Sequence, residues 1–283
     1  MCVTAISLRV AKLAVSLHGG EIVDVIRNEY IRVGKLDIHY LTGGQGEPLV
    51  VVHGGGAGAE AWLQNMVRLC ERFRVYIPDL PGFGHSQPMD GDYGMPEFVQ
   101  FLEDFTHSLG LKRFHLVGHS VGGGIALDYA LKFPYKVSKL ALVSSMCLGK
   151  EIALWVRVLS SSVFFRSLGV AGVAILKAIK WLVNLVCAPL KFVNPLPQAK
   201  MNLGVSMSTL KEQTTVLVNK LSELVTPTLL VWGANDSIVP VSQAYAAVRL
   251  IPDCQLHVFK GCGHSVYKQR VKEFSHLLTT FLC

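Results

Sequence analysis

The chain has no Cys-x-x-Cys pair and no His, Cys or Asp spacing of the metal-ligand type, which excludes zinc modules and dithiol redox chemistry. Its seven cysteines, Cys2, Cys70, Cys147, Cys187, Cys254, Cys262 and Cys283, are odd in number and scattered. That usage suits a reducing, cytoplasmic setting in which most of them are small buried apolar residues. The glycine runs lack the lysine and spacing of a phosphate loop, and no cofactor is expected. No low-complexity tract or internal repeat occurs. The opening stretch MCVTAISLRVAKLAVSLHGG is interrupted by Arg9 and Lys12 and lacks the clean apolar core of a cleaved signal. An amphipathic helix, packed on the body or touching lipid, suits residues 1–29 better.

Acidic residues are nearly missing from one interval. Between Cys147 and Ser222 stand nine lysines and arginines against Glu151 and Glu212 alone, which accounts for the whole net charge of +7. A basic surplus invites an anionic partner, yet no nucleic-acid reading module accompanies it, so nucleic-acid binding is set aside. The interval is also apolar: Ile175, Ile179, Leu182 and Val186 form one helical stripe, with Lys177 and Lys180 interspersed. Those lysines break the run of about twenty apolar residues that a membrane span needs. A cap helix that snorkels its lysines to water and lines an acyl pocket fits this pattern. Peripheral contact with an anionic lipid surface, through this segment or the N-terminal one, stays open.

What is present is the material of a large core. Of the 283 residues, 51% are apolar, enough for one α/β body with an insertion. EYIRVGKLDIHYLTGG reads as two antiparallel strands around a turn at Gly34-Lys35. Continuously apolar runs follow at 48–54, 73–82, 114–120, 139–145, 226–233 and 255–261. Such runs fit strands buried on both faces. Helical spacing separates them, as in Met95–Leu109, where Phe98, Phe101, Leu102 and Phe105 share a face. Further helices are expected at Ile125–Lys132, Gln243–Leu250 and Glu273–Leu282. The alternation predicts a mostly parallel sheet flanked by helices, built from residues 30–146 and 225–283. From 147 to 224 there is only helical patterning with stops at Pro189, Pro195 and Pro197, which reads as an inserted helical cap.

The sharpest motif is Gly118-His119-Ser120-Val121-Gly122, which follows an apolar strand and opens a helix. On such a turn a serine is held strained, with its hydroxyl above the sheet, and flanking glycines let strand and helix pass closely. A serine hydroxyl needs a base to take its proton. His264, after the strand QLHVFKG, is the best base, and Asp236, after TPTLLVWG, the best acid to orient it. Their order, Ser120, Asp236, His264, is the one this architecture requires. After PLVVV comes His53-Gly54-Gly55-Gly56, whose exposed amides suit an oxyanion hole built from Gly55 and Val121. The bland alternatives are a glycine-rich turn for Ser120, a helix N-cap for Asp236 and a satisfied loop histidine for His264.

HGGG at 53–56, DLPGFGHS at 79–86, GHSVGG at 118–123, GANDSIVP at 233–240 and GCGH at 261–264 together resemble the α/β-hydrolase superfamily, in order, from Tyr30 to Leu282. The resemblance implies an eight-stranded sheet with a cap inserted after the sixth strand. HGGGAGAEAW and LHVFKGCGH are similar, more narrowly, to the meta-cleavage-product hydrolases, which cut a C–C bond in vinylogous diketone acids. By that likeness Gly56, Trp62, His119 and Ser265 become substrate contacts. The chain departs from the narrower pattern at Ala57 (usually Pro), His119 (usually Asn), Gln64 (usually Asn) and Ser265 (commonly Trp). The main expectation is a serine hydrolase of apolar carboxylic esters. A C–C hydrolase and a non-catalytic ligand-binding protein on the same fold are the alternatives.

Overall fold

The computed structural model describes residues 12–13, 26–91, 94–149 and 216–283. The expected cap at 147–224 therefore lies outside the described residues apart from its two ends. The expected N-terminal helix does too, apart from Lys12–Leu13, which pair as a strand, and the start of the first long strand.

Nine strands form one sheet in the order β1-β2-β3-β5-β4-β6-β7-β8-β9. They are β1 (Lys12–Leu13), β2 (Ile26–Val33), β3 (Leu36–Gly43), β4 (Glu47–Val52), β5 (Phe73–Pro78), β6 (Phe114–His119), β7 (Val137–Val143), β8 (Thr228–Gly233) and β9 (Cys254–Phe259). Strands β1, β2 and β3 run antiparallel to their neighbours, and all pairs from β5 across to β9 are parallel. Set apart the two-residue β1, and this is the expected eight-stranded sheet, with the cap interval following its sixth strand. Gly34 makes the first hairpin's turn at φ +57°, where a Cβ is disfavoured.

Alternation of side chains divides each central strand between two cores. Val50, Val52, Leu116, Leu140, Leu142, Leu230 and Trp232 face one side. There they meet α2 (Met95–Ser108), α3 (Val121–Lys132) and α4 (Ser242–Ala247). Leu49, Val51, Val117, Ala141, Val143, Leu229 and Val231 face the other. Their partners are α1 (Leu63–Leu69), α5 (Val266–Gln269) and α6 (Val271–Leu282). Runs apolar at every position are thus explained by helices on both faces.

β9 is the exception. Read as buried on both faces, it lies at the sheet's edge with Gln255 and His257 exposed and only Phe259 buried. A strand with one neighbour keeps less cover than its composition suggests.

One feature of the topology positions the site. The chain passes from β4 outward to β5, then returns to place β6 on the other side of β4. The sheet therefore changes direction between β4 and β6, and the crevice above their carboxyl ends is the place where open α/β sheets take ligands. β4 leads into the glycine loop, and β6 leads into Ser120.

Candidate active site

Only Ser120 separates the last residue of β6 from the first of α3. It adopts φ +54° and ψ −118°, a conformation that costs a non-glycine residue about 1–3 kcal/mol and persists only when its surroundings over-determine it. They do. The Ser120 amide donates to the Val143 carbonyl at 3.0 Å. The Ser120 carbonyl accepts from Gly123, Gly124 and Met146 at 3.0, 3.2 and 3.0 Å.

The flanking glycines are required by space. A Cβ on Gly118 would stand 2.3 Å from the Gly122 carbonyl oxygen. One on Gly122 would stand 2.3 Å from that of His53 and 2.4 Å from that of Val52. These are backbone atoms of α3, of β4 and of the loop that follows β4, and they cannot swing aside. Gly122→Ala is therefore expected to destabilise the fold by about 1–3 kcal/mol. A lowered urea midpoint at unchanged m-value would register it, and a midpoint equal to wild type would contradict it.

Asp236 and His264 come from the loops after β8 and β9. The imidazole Nδ1 lies 2.9 Å from Asp236 Oδ2 and 3.1 Å from Oδ1. Oδ1 also accepts from the amides of Ile238 and Val239 at 2.9 and 3.0 Å. Asp236 is thus no N-cap of α4, which begins only at Ser242. It closes its own turn and orients the histidine with one carboxylate. Burial pushes the Asp236 carboxyl up, but the bond and charge of His264 and the two amides outweigh it and hold it below the ordinary range. The carboxylate is ionised at neutral pH, and the ring nitrogen turned away from it is Nε2.

The two loops are stitched together, the Asn235 amide donating to the Cys262 carbonyl at 2.8 Å. A Cβ on Gly233 would meet the Gly263 oxygen at 2.2 Å.

His119 links this pair to the serine. Its Nε2 donates to the His264 carbonyl at 3.1 Å, and the two rings lie 4.9 Å apart. The ring is buried, Nδ1 has no partner among the described residues, and burial first, then the neighbouring His264, pushes its pKa down to about 3. His119 is neutral and ties the backbone of His264 to the turn that carries Ser120.

Gly54 and Gly55 pass over that turn. A Cβ on Gly54 would lie 3.1 Å from Ser120 Cβ, and one on Gly55 3.4 Å from Val121 Cγ2. Val121 opens α3, where the first amides of a helix have no intrahelical acceptor. Gly55 thereby lies beside the first residue of α3 at the mouth of the crevice.

The other expected contacts are more varied. Gly56 is exposed on the loop at φ +71°. Ser265 is half-buried, its carbonyl accepting from Lys268 and Gln269. Trp62 has no exposed surface and stacks on Tyr267 at 4.3 Å in the core, a packing position in place of the substrate contact expected. Gln64 is exposed at the start of α1. Among the described residues no group of three or more His, Cys, Asp or Glu side chains is placed to hold a metal ion. No helix among them is long and apolar enough to cross a membrane.

The chain is similar in sequence and fold to known hydrolases. A 2-hydroxy-6-oxo-6-phenylhexa-2,4-dienoate hydrolase of Burkholderia cepacia is 28% identical over 264 residues, covering 87% of this chain and 91% of that protein. A 2-hydroxy-6-oxononadienedioate/2-hydroxy-6-oxononatrienedioate hydrolase of Comamonas testosteroni is 30% identical, with the same coverage. Among solved structures, a bacterial membrane phospholipase A superposes with a TM-score of 0.69 at 28% identity, over 91% of this chain and 86% of that one. The family model described as the alpha/beta hydrolase family matches residues 49–277, every segment of the crevice included, and the chain belongs to that family.

Proposed function

We propose that this protein is a serine hydrolase that cleaves carboxylic esters with an apolar acyl group. Ser120 attacks the carbonyl carbon, and His264 Nε2 takes the hydroxyl proton and returns it to the departing alcohol. Asp236 holds the imidazole with Nδ1 protonated, and the amides of Gly55 and Val121 stabilise the oxyanion. Water, deprotonated by His264, then attacks the acyl-enzyme, releases the acid and restores Ser120.

The observation that carries this reading is the strained Ser120 at the switch point of the sheet, whose neighbour His119 bonds the backbone of a histidine already committed through Nδ1 to a buried carboxylate. Similarity to a bacterial membrane phospholipase A supports an ester substrate. So does His119, which is occupied with the His264 carbonyl where C–C hydrolases usually carry Asn.

A C–C hydrolase is the second reading, favoured by the names of the dienoate and dienedioate relatives. A panel of p-nitrophenyl esters of graded chain length, run beside a coloured dienol diketone acid, separates the two. Ester turnover with only trace bleaching of the dienol is expected; the reverse ranking would establish the C–C reading. Fluorophosphonate labelling should map to Ser120 and vanish in Ser120→Ala, and labelling that survives this change would refute the assignment.

A further inference from the structure

A second Asp–His pair lies beneath the glycine loop. Asp79 directly follows β5, and His39 lies on β3, the strand paired with β5. Asp79 Oδ2 lies 2.7 Å from His39 Nδ1, and each side chain is only 2% exposed. Unlike Asp236 and His264, this pair is buried away from the crevice, with His39 Nε2 engaged by Asn28 Oδ1 at 3.0 Å. Its partners show what it does.

Asp79 Oδ1 accepts from the Ala59 amide at 2.6 Å, and Oδ2 accepts from the His85 amide at 2.9 Å. Two glycines make room for the carboxylate. A Cβ on Gly58 would stand 2.8 Å from Oδ1, and one on Gly84 2.1 Å from Oδ2. Ser86 accepts from the His39 amide at 3.0 Å and donates to the Asp79 carbonyl at 2.7 Å, closing the second loop over the pair.

Ala59 ends the glycine loop. His53, at its start, donates from Nδ1 to the Gly54 carbonyl at 2.8 Å and accepts the Leu80 amide on Nε2 at 3.0 Å. The two ends of the loop are therefore fixed to consecutive residues, Leu80 and Asp79. Between those ends the loop has little of its own to hold it. One described backbone bond spans it, Ala57 to Gly54, at a long 3.4 Å, and Gly55 and Gly56 are exposed. The place of the Gly55 amide is set from outside the loop.

We propose that His39 and Asp79 are positioning residues for the oxyanion hole, with the imidazole fixing the carboxylate that in turn fixes the end of the loop carrying Gly55. This rests on the serine-hydrolase reading above. Neither residue touches substrate. Both act through the Ala59 anchor, and a donor displaced by about 1 Å forfeits much of its stabilisation of the transition state while leaving ground-state binding in place.

The test measures kcat and KM for a soluble short-chain ester, and the rate of fluorophosphonate labelling, in wild type, His39→Ala and His39→Asn. Asn places an amide N–H where Nδ1–H stands and so keeps the bond to Asp79. His39→Ala is expected to lose roughly tenfold to hundredfold in kcat and in labelling rate, with KM changed less than about twofold. His39→Asn should recover most of that loss. Should His39→Ala fail to fold, His39→Gln takes its place, filling the volume while its amide reaches past Asp79. A kcat equal to wild type, a loss carried wholly by KM, or an Asn variant as slow as Ala would overturn the inference. Wild type without ester turnover or labelling would sink the parent reading and this one with it. An active wild type with an unaffected His39 variant sinks this one alone.

Discussion

Asp236→Asn is expected to lower ester turnover by about four orders of magnitude while leaving fold and substrate binding intact. The size follows from the direction of one proton. In this structure Oδ1 of Asp236 accepts from the amides of Ile238 and Val239, so an asparagine must keep its carbonyl oxygen on that side. Its NH2 then takes the place of Oδ2, 2.9 Å from His264 Nδ1. A donor there requires Nδ1 to accept, and the ring's proton moves to Nε2. The lone pair that takes the Ser120 proton is gone, although every atom remains near its place. Two measurements check this: kcat on a p-nitrophenyl ester, and a near-ultraviolet circular dichroism spectrum that should match wild type. Turnover within about tenfold of wild type would mean that the tautomer of His264 does not govern the reaction.

The placement of Asp236, His264 and Ser120 at one edge of the sheet was legible because each follows a continuously apolar strand, and strand ends in a parallel sheet share one edge. The topology then adds what spacing along the chain cannot. β4 and β6 are neighbours, although β5 lies between them in sequence, and this brings the Gly55 loop over Ser120. The start of α3 was harder to read. The sequence suggests Ile125, because Gly122, Gly123 and Gly124 read as a turn, but the helix begins at Val121. Those glycines are helical in spite of their propensity because the neighbours leave no room for a side chain. A Cβ on Gly123 would meet Ser145 Oγ at 2.4 Å, and one on Gly124 would meet Cys147 Sγ at 2.8 Å. Close packing overrides local preference there.

Residues that act across long separations left no local signal. Trp62 reads as a substrate contact by its neighbours in sequence, yet its ring is claimed by Tyr267, more than two hundred positions away. His39 alternates with apolar residues on β3 as an ordinary strand residue would, and only the pairing of β3 with β5 sets it on Asp79. The DLPGFGHS stretch marked Asp79 as part of a family pattern without saying what it holds. A carboxylate shared by two loops is visible only when both loops are in place.

Acid should weaken the fold through His119, with wild type losing about 3 kcal/mol more than His119→Gln between pH 7 and pH 4. Burial and the adjacent His264 push the folded-state pKa of His119 down to about 3. In the unfolded chain the same group takes a proton near pH 6.5. Between those values the unfolded state binds more protons than the folded one, so stability is complete above about pH 6.5 and falls steadily as pH drops toward 3. Glutamine places an N–H where Nε2 stands, keeps the bond to the His264 carbonyl and has nothing to protonate. Carboxylates such as Asp79 and Asp236, also held low, are common to both proteins and cancel in the difference. Urea unfolding at the two pH values reads the effect, and parallel losses in the two proteins would exclude it. The consequence reaches function because of where the proton would go. A charged imidazole is disfavoured between the serine turn and the backbone of His264, so protonation weakens the contact between His119 and His264.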